Sequence, residues 1–219
     1  KEPNVIGIIG KDSSIYDASN KGIEKAKGDI IYHVNADEQL LNGTLKTVEY
    51  LSKKFSCDII FGNRLVFSED GFFIKEKRAM KYHRSSIIHS HLYISTCSTF
   101  YRRKIFDTQH RFNPNLCSIG DADFIIRIHD EGYISKYFNI PFASFILRGN
   151  NISYSKQAEI ERNEWMNNFG SAIPKKLFFK SLTIFKKIWS GYYNRSKLSS
   201  VNLYTNPEAG RQRIPILKK

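Results

Sequence analysis

DSSIYDASNKGIEKAKGDIIYHVNADE, residues 12–38, reads in turn as loop, helix, buried strand and acidic loop. Ile15, Ala18, Gly22, Ile23 and Ala26 recur at helical spacing, Ser13 and Ser14 offer N-caps, and Gly28 stands where a helix would stop. The run Ile30, Ile31, Tyr32, His33, Val34 is short, mostly apolar and β-prone, as a strand buried in an α/β sheet is. Asn35, Ala36, Asp37 and Glu38 follow at its carboxyl end, where open α/β sheets bind ligands. Two oxygen ligands are therefore expected at the mouth of a parallel sheet.

The α/β alternation continues outward. Residues 43–55 place Leu45, Val48 and Leu51 at helical spacing, and residues 58–62 read as the next strand. Residues 65–67 and 72–74 flank Glu69-Asp70-Gly71, a turn signal between two β-like runs, so a hairpin is expected there. Residues 141–147 form another strand candidate. With 219 residues, 41% of them apolar and 14% aromatic, the chain can bury a full core and is not disordered. Cys57, Cys97 and Cys117 are far apart and odd in number, with no metal-finger spacing, which fits reduced thiols in a cytosolic setting.

A second constellation lies in residues 98–128. Asp121 and Asp123 sit two apart in a helical stretch, so they point to nearly opposite sides and only one of them faces a cleft. Gly120 lets the chain enter the helix tightly and puts Asp121 at its N-cap or first turn. Capping by Asp121 with Asp123 in water is the bland alternative. Further on, Arg148-Gly149-Asn150-Asn151-Ile152-Ser153 follows the last strand candidate.

The text YDASNKGI at residues 16–23, Ala26-Lys27-Gly28-Asp29 and Val34-Asn35-Ala36-Asp37-Glu38 resembles the inverting family 2 glycosyltransferases of the GT-A fold. The resemblance covers about residues 2–169 and implies a Rossmann-like, nucleotide-diphospho-sugar transferase three-layer sandwich, residues 1–170, with a C-terminal helical extension, residues 171–219. It implies a DxD-type acidic element in which Asp37 or Glu38 holds Mg²⁺ or Mn²⁺ against a nucleotide diphosphate, with Asn35 in place of the first Asp. Hard cations suit such oxygen ligands. Asn20 and Lys21, in the NKG text, are donor-side candidates, and Arg148 is a candidate partner of the diphosphate. The segment Asp121-Ala122-Asp123-Phe124 matches the text that carries the family's base, which makes Asp121 the group that takes the acceptor's proton. Thr96 and Cys97 stand where many relatives have His-Gln, and Asn150-Asn151 replaces a Gly-Gly. His89 and His91 lie near this text but out of register, and are read as structural histidines.

No DGGSTDGT-type turn precedes residues 5–9, which match a later strand of that fold, so a truncation of roughly the first quarter to third of the catalytic domain is expected. The partners expected are a nucleotide-diphosphate sugar donor and a glycan or lipid-linked acceptor, in cell-surface polysaccharide synthesis; the alternative is a non-catalytic remnant that binds glycan or membrane. The net charge of +13 needs an anionic partner, yet no zinc finger, RNP pattern or heptad-linked basic region is present, so nucleic acid is not expected. Residues 173–189 place Lys176, Lys180 and Lys187 on one side of a helix and Phe178, Leu182, Phe185 and Trp189 on the other. That pattern suits an anionic membrane surface, as well as a helix packed on its own domain with lysines in water. A cytoplasmic, inner-face peripheral location follows from the first reading. The final stretch, with Pro207, Gly210 and Pro215, reads as a loosely ordered basic tail.

Overall fold

The computed structural model describes residues 5–148, 155–170, 172–189, 192, 196, 198–204 and 210–216. The chain runs α1 (Ile15–Lys25), β1 (Ile30–Tyr32), β2 (Glu38–Leu40), α2 (Thr44–Lys54), β3 (Ile59–Ser68), β4 (Phe73–Lys77) and α3 (Arg84–His89). A 3-10 turn (Thr96–Ser98) leads into β5 (Thr99–Arg102), followed by α4 (Lys104–Asp107), α5 (Gly120–Asp130), β6 (Ser135–Leu147), α6 (Lys156–Asn167) and α7 (Ile173–Trp189). A hairpin of β7 (Ser200–Tyr204) and β8 (Arg211–Pro215) follows.

The main sheet has the order β1-β5-β3-β6-β2, with β4 beside the outer half of β3. Among the described residues only β3 and β6 pair in parallel. The expected parallel sheet is thus a mixed one, because β5 returns antiparallel between β1 and β3. β1 still runs in the same direction as β3 and β6, so the acidic loop leaves the sheet at their common carboxyl end.

Three apolar clusters make the layers. On one face Tyr16, Ile23, Ile87, Ile88, Phe112, Phe124 and Ile128 pack against Ile59, Phe61 and Tyr101. On the other, Val48 and Leu51 of α2 cover Ile60, Phe100 and Phe142. Beyond the sheet's centre, Leu65 and Phe67 meet Val201, Leu203 and Ile216 of the hairpin. The predicted tail is therefore structured in part: Gln39 receives the Tyr204 amide on Oε1 at 2.9 Å and donates Nε2 to the Tyr204 carbonyl at 2.7 Å, tying β7 to β2.

Local signals were read with partial success. Ser14 caps α1 by accepting from the Asp17 amide, but the helix ends at Lys25, before Gly28. Its inward face is Tyr16 and Ile23, with Asn20 between them, while Ile15, Ala18 and Gly22 face outward. The expected face is rotated because Tyr16 must reach α5. Leu45 is likewise exposed while Val48 and Leu51 are buried. Residues 5–9, expected as a strand, carry no strand pairing here, and Val5, Ile6, Ile8 and Ile9 are exposed. Without a neighbouring strand an extended segment has no ladder to join. Among the described residues no helix is long and apolar enough to cross a membrane.

Candidate active site

The acidic loop, residues 33–37, joins β1 and β2, which lie at opposite edges of the main sheet path. It must arch over the strand ends between them, and beneath it lies the 3-10 turn Thr96–Ser98. The turn is anchored on both sides. Tyr32 Oη donates to the Cys97 carbonyl at 2.9 Å, and Ser98 Oγ donates to the Asn63 carbonyl at 2.7 Å. Thr96 Oγ1 reaches the opposite way and donates to Asp121 Oδ2 at 3.0 Å. One short turn thus ties the end of β1, which leads into the acidic loop, to the candidate base.

Asp121 is the second residue of α5, in the first turn as expected, with no side-chain cap bond at the preceding Ile119. Burial pushes its carboxyl up from the ordinary aspartate range, while the hydrogen bonds from Thr96 and from the Ala122 amide pull it down. It retains some contact with solvent. A carboxylate that is desolvated yet held by two donors is a good proton acceptor in a fixed position. Asp123 points elsewhere: it accepts from Trp165 Nε1 at 3.1 Å and from Arg127 Nε at 2.8 Å, so it docks α6 rather than facing the cleft.

Three further residues place Asp121; of these the sequence pointed only to Gly120, and for another reason. Tyr16 Oη accepts the Asp121 amide at 3.3 Å. Gly120 is required by the same ring, since a Cβ there would lie 2.5 Å from Tyr16 Cε2; tight packing, not tight chain entry, is the reason for glycine. Glu161, buried on α6, accepts the amides of Cys117, Ser118 and Ile119 at 2.6, 2.9 and 2.8 Å and so fixes the approach to α5. A lone Glu in a polar helix gives no local signal of such a task.

In the acidic loop, Asn35 and Glu38 close a tight turn. The Glu38 amide donates to the Asn35 carbonyl at 3.1 Å, and Glu38 Oε2 accepts the Asn35 amide at 2.9 Å. Glu38 is buried, and burial pushes its carboxyl up. Asp37 is half-buried and, among the described residues, its carboxylate makes no hydrogen bond or ion pair. Of the two candidate ligands, Asp37 has the open oxygens and Glu38 shapes the loop. No group of three or more His, Cys, Asp or Glu side chains among the described residues is arranged to hold a metal. A cation here would draw its other ligands from a bound diphosphate and water, as Mg²⁺ commonly does. His33, the first residue of the loop, is half-buried between Ser19 Oγ at 3.1 Å and the Phe112 ring, and burial lowers its pKa.

The donor-side candidates are spread out. Both ends of the Asn20 amide are taken by the Phe112 backbone, at 2.8 and 3.0 Å. Lys21 pairs with Asp12 at 2.7 Å and Asp17 at 3.1 Å on the helix surface. Arg148 lies three residues past Phe145, the residue paired with Glu38, and approaches Glu69 at 3.7 Å. Residues 149–154, including Asn150, Asn151 and Ser153, lie outside the described residues. His91 is held between Ser90 Oγ at 2.9 Å and Lys187 Nζ at 2.8 Å, and His89 stacks on Phe179, so both are structural as read.

The model of glycosyl transferase family 2 matches residues 3–128, which include the acidic loop, the 3-10 turn and Asp121. The chain belongs to glycosyltransferase family 2. Its fold is the GT-A, Rossmann-like fold of that family. It is 26% identical over 141 residues to a PGL/p-HBAD biosynthesis glycosyltransferase of Mycobacterium bovis (strain BCG / Pasteur 1173P2), covering 61% of this chain and 51% of that protein. The same figures hold for the protein of that description from Mycobacterium tuberculosis (strain ATCC 25177 / H37Ra). The chain therefore spans about half the length of the curated relatives it matches. A crystal structure of S. aureus TarS 1-349 in complex with UDP-GlcNAc superposes with a TM-score of 0.56 at 13% identity, covering 85% of this chain and 56% of that one. That likeness speaks for the fold.

Proposed function

We propose that this family 2 chain forms the catalytic centre of an inverting glycosyltransferase, moving a sugar from a nucleotide-diphosphate donor to a hydroxyl of a glycan or lipid-linked acceptor in cell-surface polysaccharide synthesis. The observation that carries the reading is the turn Thr96–Ser98, which ties the end of β1, where the acidic loop begins, to Asp121. Asp37 would hold Mg²⁺ or Mn²⁺, with Glu38 and Asn35 keeping the loop in shape. The cation, when bound, offsets charge on the leaving diphosphate. Asp121 Oδ takes the proton of the acceptor hydroxyl, Thr96 orients that carboxylate, and Asp123 stays in its ion pair.

The membrane enters through α7. Thr183 and Phe179 pack inward and Lys187 turns to His91, whereas Leu177, Phe178, Phe185, Ile188 and Trp189 face outward, Phe178 at 63% and Trp189 at 77% exposure. The same helix also rests on the domain, through Phe179 and Thr183, with Lys180 in water. An outward apolar stripe flanked by lysines fits the interface of an anionic bilayer.

Calorimetry with UDP and Mn²⁺, on the parent and on Asp121→Asn and Asp37→Asn proteins, tests the reading. Asp121→Asn should abolish transfer while sparing donor binding, and Asp37→Asn should remove the Mn²⁺ dependence. Normal turnover by D121N would sink the base assignment. A chain that binds no nucleoside diphosphate with Mn²⁺ would favour a non-catalytic glycan- or membrane-binding module.

A further inference from the structure

Next to the candidate site, cations from β3, β4 and α7 converge. Arg64 on β3 pairs directly across the ladder with Lys77 on β4, and Lys75 follows two residues earlier on the same side of β4. Like charges directly opposite in a ladder are unfavourable. Lys187 arrives from α7, its Nζ 2.8 Å from His91 Nε2 and 4.4 Å from the Tyr192 ring centroid. Glu76, between the two lysines, turns to the other face, where it accepts from Asn63 Nδ2 at 2.6 Å and pairs with Arg78 at 3.6 Å.

Among the described residues, Arg64, Lys75 and Lys77 make no ion pair. The guanidinium of Arg64 lies over the Phe145 ring at 4.3 Å, and its buried Nε has no hydrogen-bond partner. The charged groups around Lys77 are Arg64, Lys187 and Lys75, with the Cys97 thiol beside them, and burial with these cations pushes Lys77 down to about 8. Around His91 they are Lys187, Lys77 and Arg162, and burial with these cations holds it near 4, neutral. A neutral His91 accepts from Lys187 and therefore aims the ammonium without adding charge. The carboxylate within electrostatic reach of Arg64 is Glu38, one of whose oxygens is taken by the Asn35 amide.

We propose that Arg64, Lys75, Lys77 and Lys187 form a subsite for a phosphate group carried by the acceptor. Cationic N–H donors are the chemistry that recognises phosphate, and Arg64 has one already desolvated. The position suits the acceptor side. Arg64 and Lys77 flank Cys97, the neighbour of Thr96, which holds Asp121; Arg162 lies within electrostatic reach of both His91 and Asp121. A phosphate seated there places a nearby hydroxyl of the same molecule toward the candidate base.

The proposal rests on the transferase reading above, and its test separates the two. Calorimetry would follow sn-glycerol 3-phosphate and, independently, UDP with Mn²⁺, on the parent, Lys77→Gln and Lys187→Gln chains, each checked for an unchanged melting profile. The expected result is a loss of about tenfold in glycerol phosphate affinity in either variant, the loss of roughly one charge-assisted contact, with UDP–Mn²⁺ affinity unmoved. Unchanged glycerol phosphate affinity in both variants overturns the subsite. An equal loss of UDP affinity overturns the acceptor assignment, because the cluster would then serve the donor's diphosphate. Vesicles of phosphatidylglycerol distinguish the other source: variants that lose vesicle binding, on a parent that binds no soluble phosphate, move the ligand to a lipid headgroup and overturn the proposal. A parent that binds glycerol phosphate at this cluster but no UDP leaves the phosphate subsite standing and removes the transferase reading.

Discussion

Thr96→Val tests the link between the turn and the base most directly. The change keeps the side chain's shape and removes one donor, the hydroxyl 3.0 Å from Asp121 Oδ2, while the Ala122 amide remains on Oδ1 at 2.8 Å. A hydrogen bond to a charged group contributes about 1.5–3 kcal/mol, and 1.36 kcal/mol corresponds to one pKa unit, so the carboxyl should rise by about 1–2 units. The sign follows from which form the bond favours: Thr96 donates to the carboxylate, so its loss favours the protonated acid. The working form is the carboxylate, and the acid limb of kcat/KM therefore moves to higher pH by at least about one unit. Well above that limb the variant should approach the parent's rate; below it, the rate falls about tenfold per pH unit. The assay is nucleoside diphosphate release over a pH series, with Thr96→Ser as the control that restores the hydroxyl and the parent's profile. An acid limb that does not move, or a uniform loss at every pH, would refute the argument that Thr96 acts through Asp121.

Glu161→Ala strips a buried acceptor from three amides and should cost about 3 kcal/mol, lowering Tm by roughly 10 °C in thermal unfolding followed by circular dichroism. Gly120→Ala drives a Cβ into the Tyr16 ring and should cost about 2 kcal/mol, with the smaller, ringless side chain of a Tyr16→Leu partner relieving it in a double-mutant cycle. Lys77 gives a stability signature at alkaline pH. Its folded pKa, about 8, lies below the ordinary lysine value, so between about pH 8 and 10 the unfolded chain binds more protons and stability rises with pH, by about 3 kcal/mol in all. Urea midpoints across that range should show the rise in the parent and lose it in Lys77→Met.

Much of the site was legible because its parts are local. The helix, the strand and the acidic turn of residues 12–38 follow one another in the chain, so spacing and caps disclose them, and the resemblance rested on contiguous text. Asp121 and Asp123 could be told apart as a pair, since residues two apart on a helix must diverge. Which of the two faced the cleft waited for Trp165 and Arg127, which claim Asp123 from other turns of chain. The choice between Asp37 and Glu38 likewise waited for the Asn35 amide, which occupies one of Glu38's oxygens. Asn20 was read as a donor-side group from its motif, yet its amide is spent on the Phe112 backbone, 92 residues away. Thr96 was noted as a departure from the family text, and its hydroxyl proves to be the strut.

By itself the sequence determined the order of elements, the acidic loop at a strand's end and the amphipathic division of α7. Periodicity says which residues share a face, and that is all these statements require. What each face meets was decided by tertiary structure. On α7, Phe179, Thr183 and Lys187 turn toward the domain while Lys180, Phe178, Phe185 and Trp189 lie in solvent; α1 rotates to bring Tyr16 to α5; β5 enters the sheet antiparallel; and Arg64 comes to face Lys77. These outcomes depend on burial and charge summed over segments far apart in the chain, a balance no local spacing records.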